Sequence, residues 1–77
     1  MRDYCVEVRV KEFDLGLMEG LVVLANSFEA IKTSVGYSES VGPNVSAKFN
    51  DKKNACGFME HIGDLDYVRD VLYVPRR

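Results

Sequence analysis

The sequence predicts an α+β fold in which a four-stranded antiparallel sheet carries two helices on one of its faces. Three observations support this prediction. Apolar and polar residues alternate near the amino terminus, which is the period of a strand with one buried face. Two later stretches carry apolar residues at helical spacing behind a capping residue. Shorter alternating stretches lie between and after these helices, next to glycine, proline and asparagine residues that favour turns.

The first predicted strand spans residues 4–10, where valine or tyrosine occupies every second position. Its inward face carries Tyr4, Val6, Val8 and Val10. Its outward face carries Cys5, Glu7 and Arg9 and continues to Lys11. One apolar and one polar face are typical of a sheet that helices cover on one side only.

The first helix begins at Asp14, which has the short acidic side chain preferred at a helix amino terminus. Phe13 before it and Met18 four positions inside the helix have the spacing of a hydrophobic staple. The apolar positions recur every three or four residues, as expected for a helix that packs against a core. They are Leu17, Met18, Leu21, Leu24, Ala25, Phe28 and Ile31.

Residues 32–40 are predicted to form a polar, serine-rich second strand, whose more apolar face carries Val35 and Tyr37. A turn over the Gly-Pro-Asn stretch at residues 42–44 follows, because glycine and asparagine tolerate positive φ and proline presets its own φ. The third strand then alternates again. Its apolar face carries Val45, Ala47 and Phe49.

The second helix begins after Asn50 or Asp51, since either residue is a suitable N-cap. Gly63 fits the C′ position that ends it. The apolar positions between them are again at helical spacing. They are Ala55, Phe58, Met59 and Ile62.

The last predicted strand covers residues 70–74 and leaves two alternatives for its buried face. One face carries Val71 with Tyr73, and the other carries Leu72 with Val74. The element order is therefore β-α-β-β-α-β. With right-handed crossovers in both halves, this order gives the ferredoxin-like arrangement, with both helices on one face of the antiparallel sheet.

Residues 1–77 are expected to form a single domain, because the chain is near the lower size limit for one core and 47% of its residues are apolar. The net charge of −2 argues against a dedicated nucleic-acid-binding protein, which usually has a strong basic excess. No apolar run approaches the length of a membrane span, and the alternating start does not resemble a signal peptide. Two cysteines without a secretory signal predict free thiols and a cytoplasmic location.

The segment KNACGFMEHIG holds Cys56 and the only histidine, His61. Five residues along a helix rotate the side-chain direction by roughly 140°, so the two side chains lie on opposite flanks of the core stripe. They are not expected to share a metal ion, since zinc ligands on one helix favour spacings of three or four residues. Cys5 points to the face of the sheet that the helices leave open. We predict no metal, no cofactor and no catalytic residue, and we interpret Asp64 and Asp66 as part of a solvated loop.

The first helix has an unusual outward face, because no lysine or arginine occurs in residues 14–31. A solvent-facing helix normally carries charges there, so its apolar residues predict contact with a partner protein. The predicted contact residues are Val22, Val23, Asn26 and Ala30. Gly16 and Gly20 each cost about 1 kcal/mol relative to alanine in a helix interior, which suggests that another backbone approaches closely there.

Three stretches of the chain resemble the ACT domain, a small regulatory module with a ferredoxin-like fold. They are VEVRV, DLGLMEGLVVLA and FNDKKNACGFMEHIGDLDYVRDVLYV. In ACT domains the turn between the first strand and the first helix carries Asp and Gly, where a small ligand, often an amino acid, meets the backbone. The resemblance therefore implies a small-molecule effector at Asp14 and Gly16. Leu15 stands where that family usually has proline, and the turn is one residue shorter.

The predicted function is a small, non-enzymatic interaction or regulatory module that acts as a homodimer or docks on a partner protein. The second strand is expected at an exposed edge of the sheet, where it is available for pairing. The alternative is binding of RNA or single-stranded nucleic acid by cations of the open sheet face and the carboxyl terminus. These cations are Arg9, Lys11, Lys48, Arg76 and Arg77.

Overall fold

The computed structural model describes residues 3–76, with side chains described for residues 3–74. The elements are β1 (Asp3–Val10), α1 (Leu15–Ser27), β2 (Lys32–Ser38), β3 (Gly42–Phe49), α2 (Lys52–Ile62) and β4 (Val68–Arg76). The strands form one antiparallel sheet in the order β2-β3-β1-β4. This is the predicted ferredoxin-like βαββαβ fold, which is therefore confirmed. Neither described helix is long and apolar enough to cross a membrane.

The core lies between one face of the sheet and the two helices. Its strand residues are Val6, Val8, Val10, Val45, Ala47 and Phe49, all at most 2% exposed. Its helix residues are Met18, Leu21 and Ala25 from α1, and Ala55, Phe58 and Ile62 from α2. No polar or charged side chain is fully buried in the described part of the chain. The fold is therefore held by apolar packing on one side of the sheet, while the opposite face is left uncovered.

Aspartate side chains cap both helices, as predicted. Asp14 Oδ1 accepts a hydrogen bond of 3.2 Å from the backbone N–H of Leu17. Asp51 Oδ1 accepts one of 2.8 Å from the backbone N–H of Lys53, so Asp51 and not Asn50 is the second cap. Each carboxylate satisfies a backbone donor that the first helical turn leaves without an intrahelical partner.

The end of α2 differs from the prediction. Gly63 is the C-cap residue, and its φ of −61° and ψ of −22° are right-handed, whereas a C′ glycine is left-handed. Its N–H donates to the carbonyl of Met59 at 3.0 Å, which is the ordinary helical bond. The chain therefore continues the helical sense into the following turn, and no reversal at Gly63 is needed.

The predicted turn at residues 42–44 is wrong, because the turn lies at residues 39–41. The Ser38 hydroxyl accepts a hydrogen bond of 3.1 Å from the backbone N–H three residues later and so closes this turn. Gly42 leaves it with a φ of 77°, in the left-handed region that favours glycine. Pro43 then lies near the start of β3, where a strand tolerates its missing N–H.

Two apolar residues predicted for the core stripe of the first helix, Leu17 and Ile31, are exposed. Ile31 lies beyond the end of α1, and its N–H donates to the carbonyl of Lys48 at 2.8 Å. Phe13 is exposed as well, and its ring packs against that of Tyr37 near the end of β2. The helical spacing of apolar residues continues to Ile31, but α1 ends at Ser27 because the chain turns there toward β2.

The buried face of β4 is the one that carries Val71 and Tyr73. These two residues pair with buried valines of β1 and pack against the core. Leu72 and Val74 point to the uncovered face of the sheet and are exposed. The sheet register therefore decides between the two alternatives that the sequence leaves open.

Candidate functional site

The exposed edge of the sheet at β2 carries apolar side chains. β2 pairs with β3 on one side, and no described strand covers its other edge. Val35 and Tyr37 lie on the helix side of β2, as predicted, opposite the buried residues Val45 and Pro43. They are nevertheless 40% and 64% exposed, because an edge strand has sheet neighbours on one side only.

Further exposed apolar side chains lie on α1 and on the segments that flank it. α1 packs against β2 and β3, so it lies over this half of the sheet. The rings of Phe13 and Tyr37 meet edge to face, with 6.2 Å between their centroids. Six exposed apolar side chains lie on β2, on α1 and on the segments that flank α1, and we call this group the edge patch. They are Phe13, Leu15, Val23, Ile31, Val35 and Tyr37.

The four residues predicted for partner contact divide into two pairs. Val23, at 68%, and Asn26 are exposed on α1. Val22 is partly buried against the core, and Ala30 lies beyond the end of α1, where its N–H donates to the carbonyl of Ala25 at 3.1 Å. The prediction of an outward position is therefore wrong for Val22 and Ala30. Both are partly buried against the core, Val22 from α1 and Ala30 from the segment that follows it.

The two glycines of α1 show no close approach to another part of the described chain. A Cβ atom on Gly20 would meet nothing within 4 Å. A Cβ atom on Gly16 would come no nearer than 3.4 Å to Asp14 Oδ1, which is an ordinary contact distance. The close approach predicted at these glycines is therefore absent within the described chain.

A cavity of about 200 Å³ lies at the turn between β1 and α1. Its lining residues are Lys11, Glu12, Asp14, Leu17 and Tyr67. It contains the predicted effector residue Asp14, whereas Gly16 does not line it. One oxygen of the Asp14 carboxylate caps α1, which leaves the second oxygen for a ligand. The ammonium group of Lys11 and the carboxylates of Glu12 and Asp14 lie beside the side chains of Leu17 and Tyr67. This set of groups is complementary to a small zwitterion.

The open face of the sheet carries ion pairs. Arg9 Nε lies 3.0 Å from Glu7 Oε2 and 3.8 Å from Asp70 Oδ1. Lys48 Nζ lies 3.6 Å from Asp3 Oδ2. Carboxylates in these positions offset the positive charge with which a protein binds a nucleic-acid backbone.

The other predicted nucleic-acid contacts do not extend this face. Lys11 follows the end of β1 and lines the cavity that it shares with Glu12 and Asp14. Arg77 and the side chain of Arg76 lie outside the described part of the chain. The structure therefore places two of the five predicted cations, Arg9 and Lys48, on the open face, and each lies beside a carboxylate.

Cys56 and His61 face different neighbours, as expected from their spacing. Cys56 is a partly buried free thiol near Tyr73, whereas the ring of His61 lies 5.9 Å from that of Phe28. Cys5 is also a free thiol, on the opposite side of the sheet. No three metal-ligating side chains come together within the residues that the structure describes.

Sequence reasoning did not identify Tyr73 as a residue of interest. Its hydroxyl is buried and finds no hydrogen-bond partner among the described residues. Burial raises the pKa of the Tyr73 phenol above its ordinary value, and the nearby Cys56 and Tyr4 raise it further. The ring of Tyr4 stacks on that of Tyr73, with 6.4 Å between centroids. The relevant sequence signal was the alternation in β4, which did not decide which face is buried.

Comparison with known proteins finds similarity in structure and none in sequence. No protein-family model matches the chain, and no curated protein matches it. Acylphosphatase from Bacillus subtilis has a TM-score of 0.70 at 15% identity, over 100% of this chain and 87% of its own. The C-terminal domain of the MgtC protein from Mycobacterium tuberculosis has a TM-score of 0.66 at 11% identity, over 97% of this chain and 87% of its own.

A third similar structure is a transcriptional regulatory protein of the ASNC family from Pyrococcus furiosus. Its TM-score is 0.53 at 15% identity, over 96% of this chain and 49% of its own length. All three neighbours are ferredoxin-like domains, so the resemblance to ACT domains is confirmed at the level of the fold. At these identities the comparisons show the fold alone, and the same fold occurs here in an enzyme and in a regulator.

Proposed function

We propose that this chain is a non-enzymatic regulatory module that assembles with a second copy of itself through β2 and the edge patch. The observation that carries the proposal is the concentration of exposed apolar side chains on the edge strand β2, on α1 and on the segments that flank α1. Of the nine large apolar side chains exposed in the described chain, six belong to the edge patch. Exposed apolar residues gathered in one region favour an interaction site more than single scattered ones do.

The backbone of β2 supports pairing with another strand. Its outer N–H and C=O groups have no partner strand in the described sheet. β2 contains no proline, and its one charged residue is Lys32 at its first position. Edge strands that avoid pairing usually carry charges, proline or bulges, and the register of β2 with β3 shows no bulge. An antiparallel pair of β2 strands would extend the sheet across two subunits.

A second copy of the chain is favoured as the partner because the six side chains of the edge patch are uncharged. In a two-fold symmetric dimer the same surface lies on both sides of the interface. A charge at the centre of that surface would face its own copy and repel it. The aliphatic and aromatic side chains of the edge patch carry no charge, so two copies of this surface do not repel each other.

A regulatory role is compatible with this fold, because a transcriptional regulatory protein of the ASNC family shares the architecture. A small effector would bind in the cavity beside Asp14, where one lysine and two carboxylates suit a zwitterion. In this proposal the effector site lies at the start of α1, the helix that also contributes to the edge patch.

The proposal does not include the activity named for the acylphosphatase neighbour. An acyl phosphate is an anion, and the cavity at the β1–α1 turn sets the carboxylates of Glu12 and Asp14 against the single ammonium of Lys11. This balance of charge disfavours an anionic substrate there. A binding module therefore fits this cavity better than a phosphatase does.

Sedimentation equilibrium tests the proposal. The wild-type chain is expected to be a dimer at protein concentrations on the order of tens of micromolar. Val35→Asp places a carboxylate in the edge patch, where two copies would face each other across the two-fold axis. Such like-charge contacts cost about 3 kcal/mol, so dimerisation should weaken by about 100-fold.

Leu72→Asp is the matched control. Leu72 is 39% exposed against 40% for Val35, but it lies on β4, the other edge strand of the sheet. The Leu72→Asp variant is therefore expected to remain a dimer, while circular dichroism verifies that both variants fold. A monomeric wild type, or equal dissociation in both variants, would contradict the proposal.

A further inference from the structure

The open face of the sheet holds a hollow that spans β2, β3 and β1, on the side away from the helices. Its volume is about 170 Å³. Its lining residues are Cys5, Lys32, Ser34, Ser46 and Lys48, together with Thr33 and Ala47, whose side chains alternate to the helix side of the sheet. The sheet register places Lys32 across from Lys48 and Ser34 across from Ser46. Cys5 pairs with Lys48 from the other side, so two lysines, two serines and a cysteine line one hollow.

The lysines of this hollow are not fully neutralised. Like charges directly across an antiparallel strand pair are destabilising. Lys48 has one carboxylate neighbour, Asp3, at 3.6 Å, and Lys32 makes no ion pair with the described residues. Glu7 is the next carboxylate on this face, and its side chain is bonded to Arg9 at 3.0 Å. The hollow therefore keeps an excess of positive charge.

The two serines add neutral hydrogen-bond donors. Neither the Ser34 nor the Ser46 hydroxyl bonds to another group in the described part of the chain. A hydroxyl donates one hydrogen bond and an ammonium group donates three. Hydrogen bonds between an ammonium and an anionic oxygen are about twice as strong as neutral ones. This donor set suits an anion with several acceptor oxygens.

We propose that this hollow binds a phosphate group, held between Lys32 and Lys48 and supported by Ser34 and Ser46. Its volume of about 170 Å³ is well above the roughly 10–15 Å³ that a cavity needs to hold one water molecule, and it leaves room for a phosphate group. A dianion between the lysines replaces their mutual repulsion with two attractive contacts. Inorganic phosphate and the phosphate group of a small phosphorylated metabolite share this chemistry.

Cys5 reports on occupancy of the site. Because its thiol lines the hollow, a bound phosphate shields it from alkylation by iodoacetamide, a neutral reagent. Cys56 lies on α2, on the other side of the sheet, and provides an internal control. Peptide mass spectrometry measures both alkylation rates in one sample. The rate at Cys5 is expected to fall by about tenfold when inorganic phosphate is about nine times its dissociation constant, while the rate at Cys56 stays unchanged.

Lysine variants assign the protection to the hollow. Lys48→Gln and Lys32→Gln each remove one ammonium group and should abolish most of the protection. Lys53→Gln removes an exposed lysine of α2 and should leave protection at the wild-type level. Potassium chloride at the same ionic strength should not protect Cys5. Absence of saturable protection, equal protection by chloride, or full protection in both hollow variants would overturn the proposal.

Two further arms complete the experiment. Stronger protection by glycerol phosphate than by inorganic phosphate assigns the site to a phosphorylated small molecule, and equal protection assigns it to the phosphate group itself. If a lysine variant fails to fold, the wild-type phosphate titration against the chloride control still decides the outcome. Val35→Asp should retain the protection, because the edge patch lies on the helix side of the sheet, so this site and the proposed dimer are tested separately.

Discussion

Replacing Gly20 with alanine should stabilise the protein, because this glycine lowers the stability of α1 and no intramolecular contact requires it. Gly20 lies inside α1, and a Cβ atom there would meet nothing within 4 Å. Glycine in a helix interior costs about 0.8–1.0 kcal/mol relative to alanine. Gly20→Ala should therefore raise the free energy of unfolding by about 1 kcal/mol, which corresponds to a rise of about 4–8 °C in Tm for a domain of this size.

Gly57→Ala is the matched control, because the same substitution inside α2 meets a different environment. Its Cβ atom would lie 3.1 Å from Phe28 Cε1 and 3.3 Å from Phe28 Cδ1, which is tighter than ordinary contact. The Phe28 ring already packs against the rings of Phe58 and His61, so it moves only by disturbing both. Overpacking of this kind costs about 1–3 kcal/mol, so the gain in helix propensity should disappear or reverse.

Urea unfolding followed by circular dichroism measures both variants. The urea midpoint should rise for Gly20→Ala and should stay or fall for Gly57→Ala, with the slope of the transition unchanged. Repeating the measurement over a range of protein concentrations separates folding from dimerisation. A Gly20→Ala protein that is less stable at every concentration would refute the reasoning. A loss that grows with concentration would place the Gly20 backbone against a second chain.

Two other substitutions test the cap of α1 and the phenol of Tyr73. Asp14→Ala removes the acceptor for the Leu17 N–H and should lower the free energy of unfolding by about 1 kcal/mol, seen as a lower urea midpoint; an unchanged midpoint would contradict the capping role. Tyr73→Phe removes a buried hydroxyl without a partner and should keep or raise the midpoint at neutral pH. Burial, with Cys56 and Tyr4, raises the folded-state pKa of Tyr73 above its ordinary value of 10.0. The stabilisation that follows from this raised pKa is complete below pH 10.0 and is lost as the pH rises from there through the folded-state pKa. The wild type should therefore lose more stability than Tyr73→Phe over this alkaline range.

The elements that the sequence predicts well are those whose signals are local. The one-sided alternation of β1 is confirmed by the burial of Val6 and Val8, because a period of two admits only one buried face. The caps at Asp14 and Asp51 are confirmed because a capping aspartate needs only the backbone of the next turn. The buried face of β4 depends on its pairing with β1, which is distant in the chain, and its sequence therefore left two alternatives.

The position of the β2–β3 turn shows why part of the candidate site was missed. A turn centred on Pro43, as the sequence suggests, would pair Lys48 with Ser38. The observed turn is centred on Ser40, and it pairs Lys48 with Lys32 instead. The hydroxyl of Ser38 and the positive φ of Gly42 fix that position, and neither effect is visible in composition. The juxtaposed lysines of the open-face hollow therefore follow from a register that the sequence did not predict.

The exposure of the edge patch also depends on strand order. Val35 and Tyr37 have the alternation of a buried strand face, and the sequence identified them as the more apolar side of β2. They remain exposed because β2 lies at the edge of the sheet, which only the full topology determines. Their role in dimerisation stays a prediction until the sedimentation experiment is done.

The pairing of β1 with β4 has a consequence for how the protein is made. Asp3 lies opposite Arg76, so the two ends of the described chain meet in adjacent strands. Contacts between residues so distant in sequence are slow to form, because the chain pays loop-closure entropy before any pairing is gained. On the ribosome, one side of β1 stays without its hydrogen-bonding neighbour until β4 has left the exit tunnel. Of the four described strands, the one synthesised earliest, β1, is thus completed by the one synthesised latest, β4.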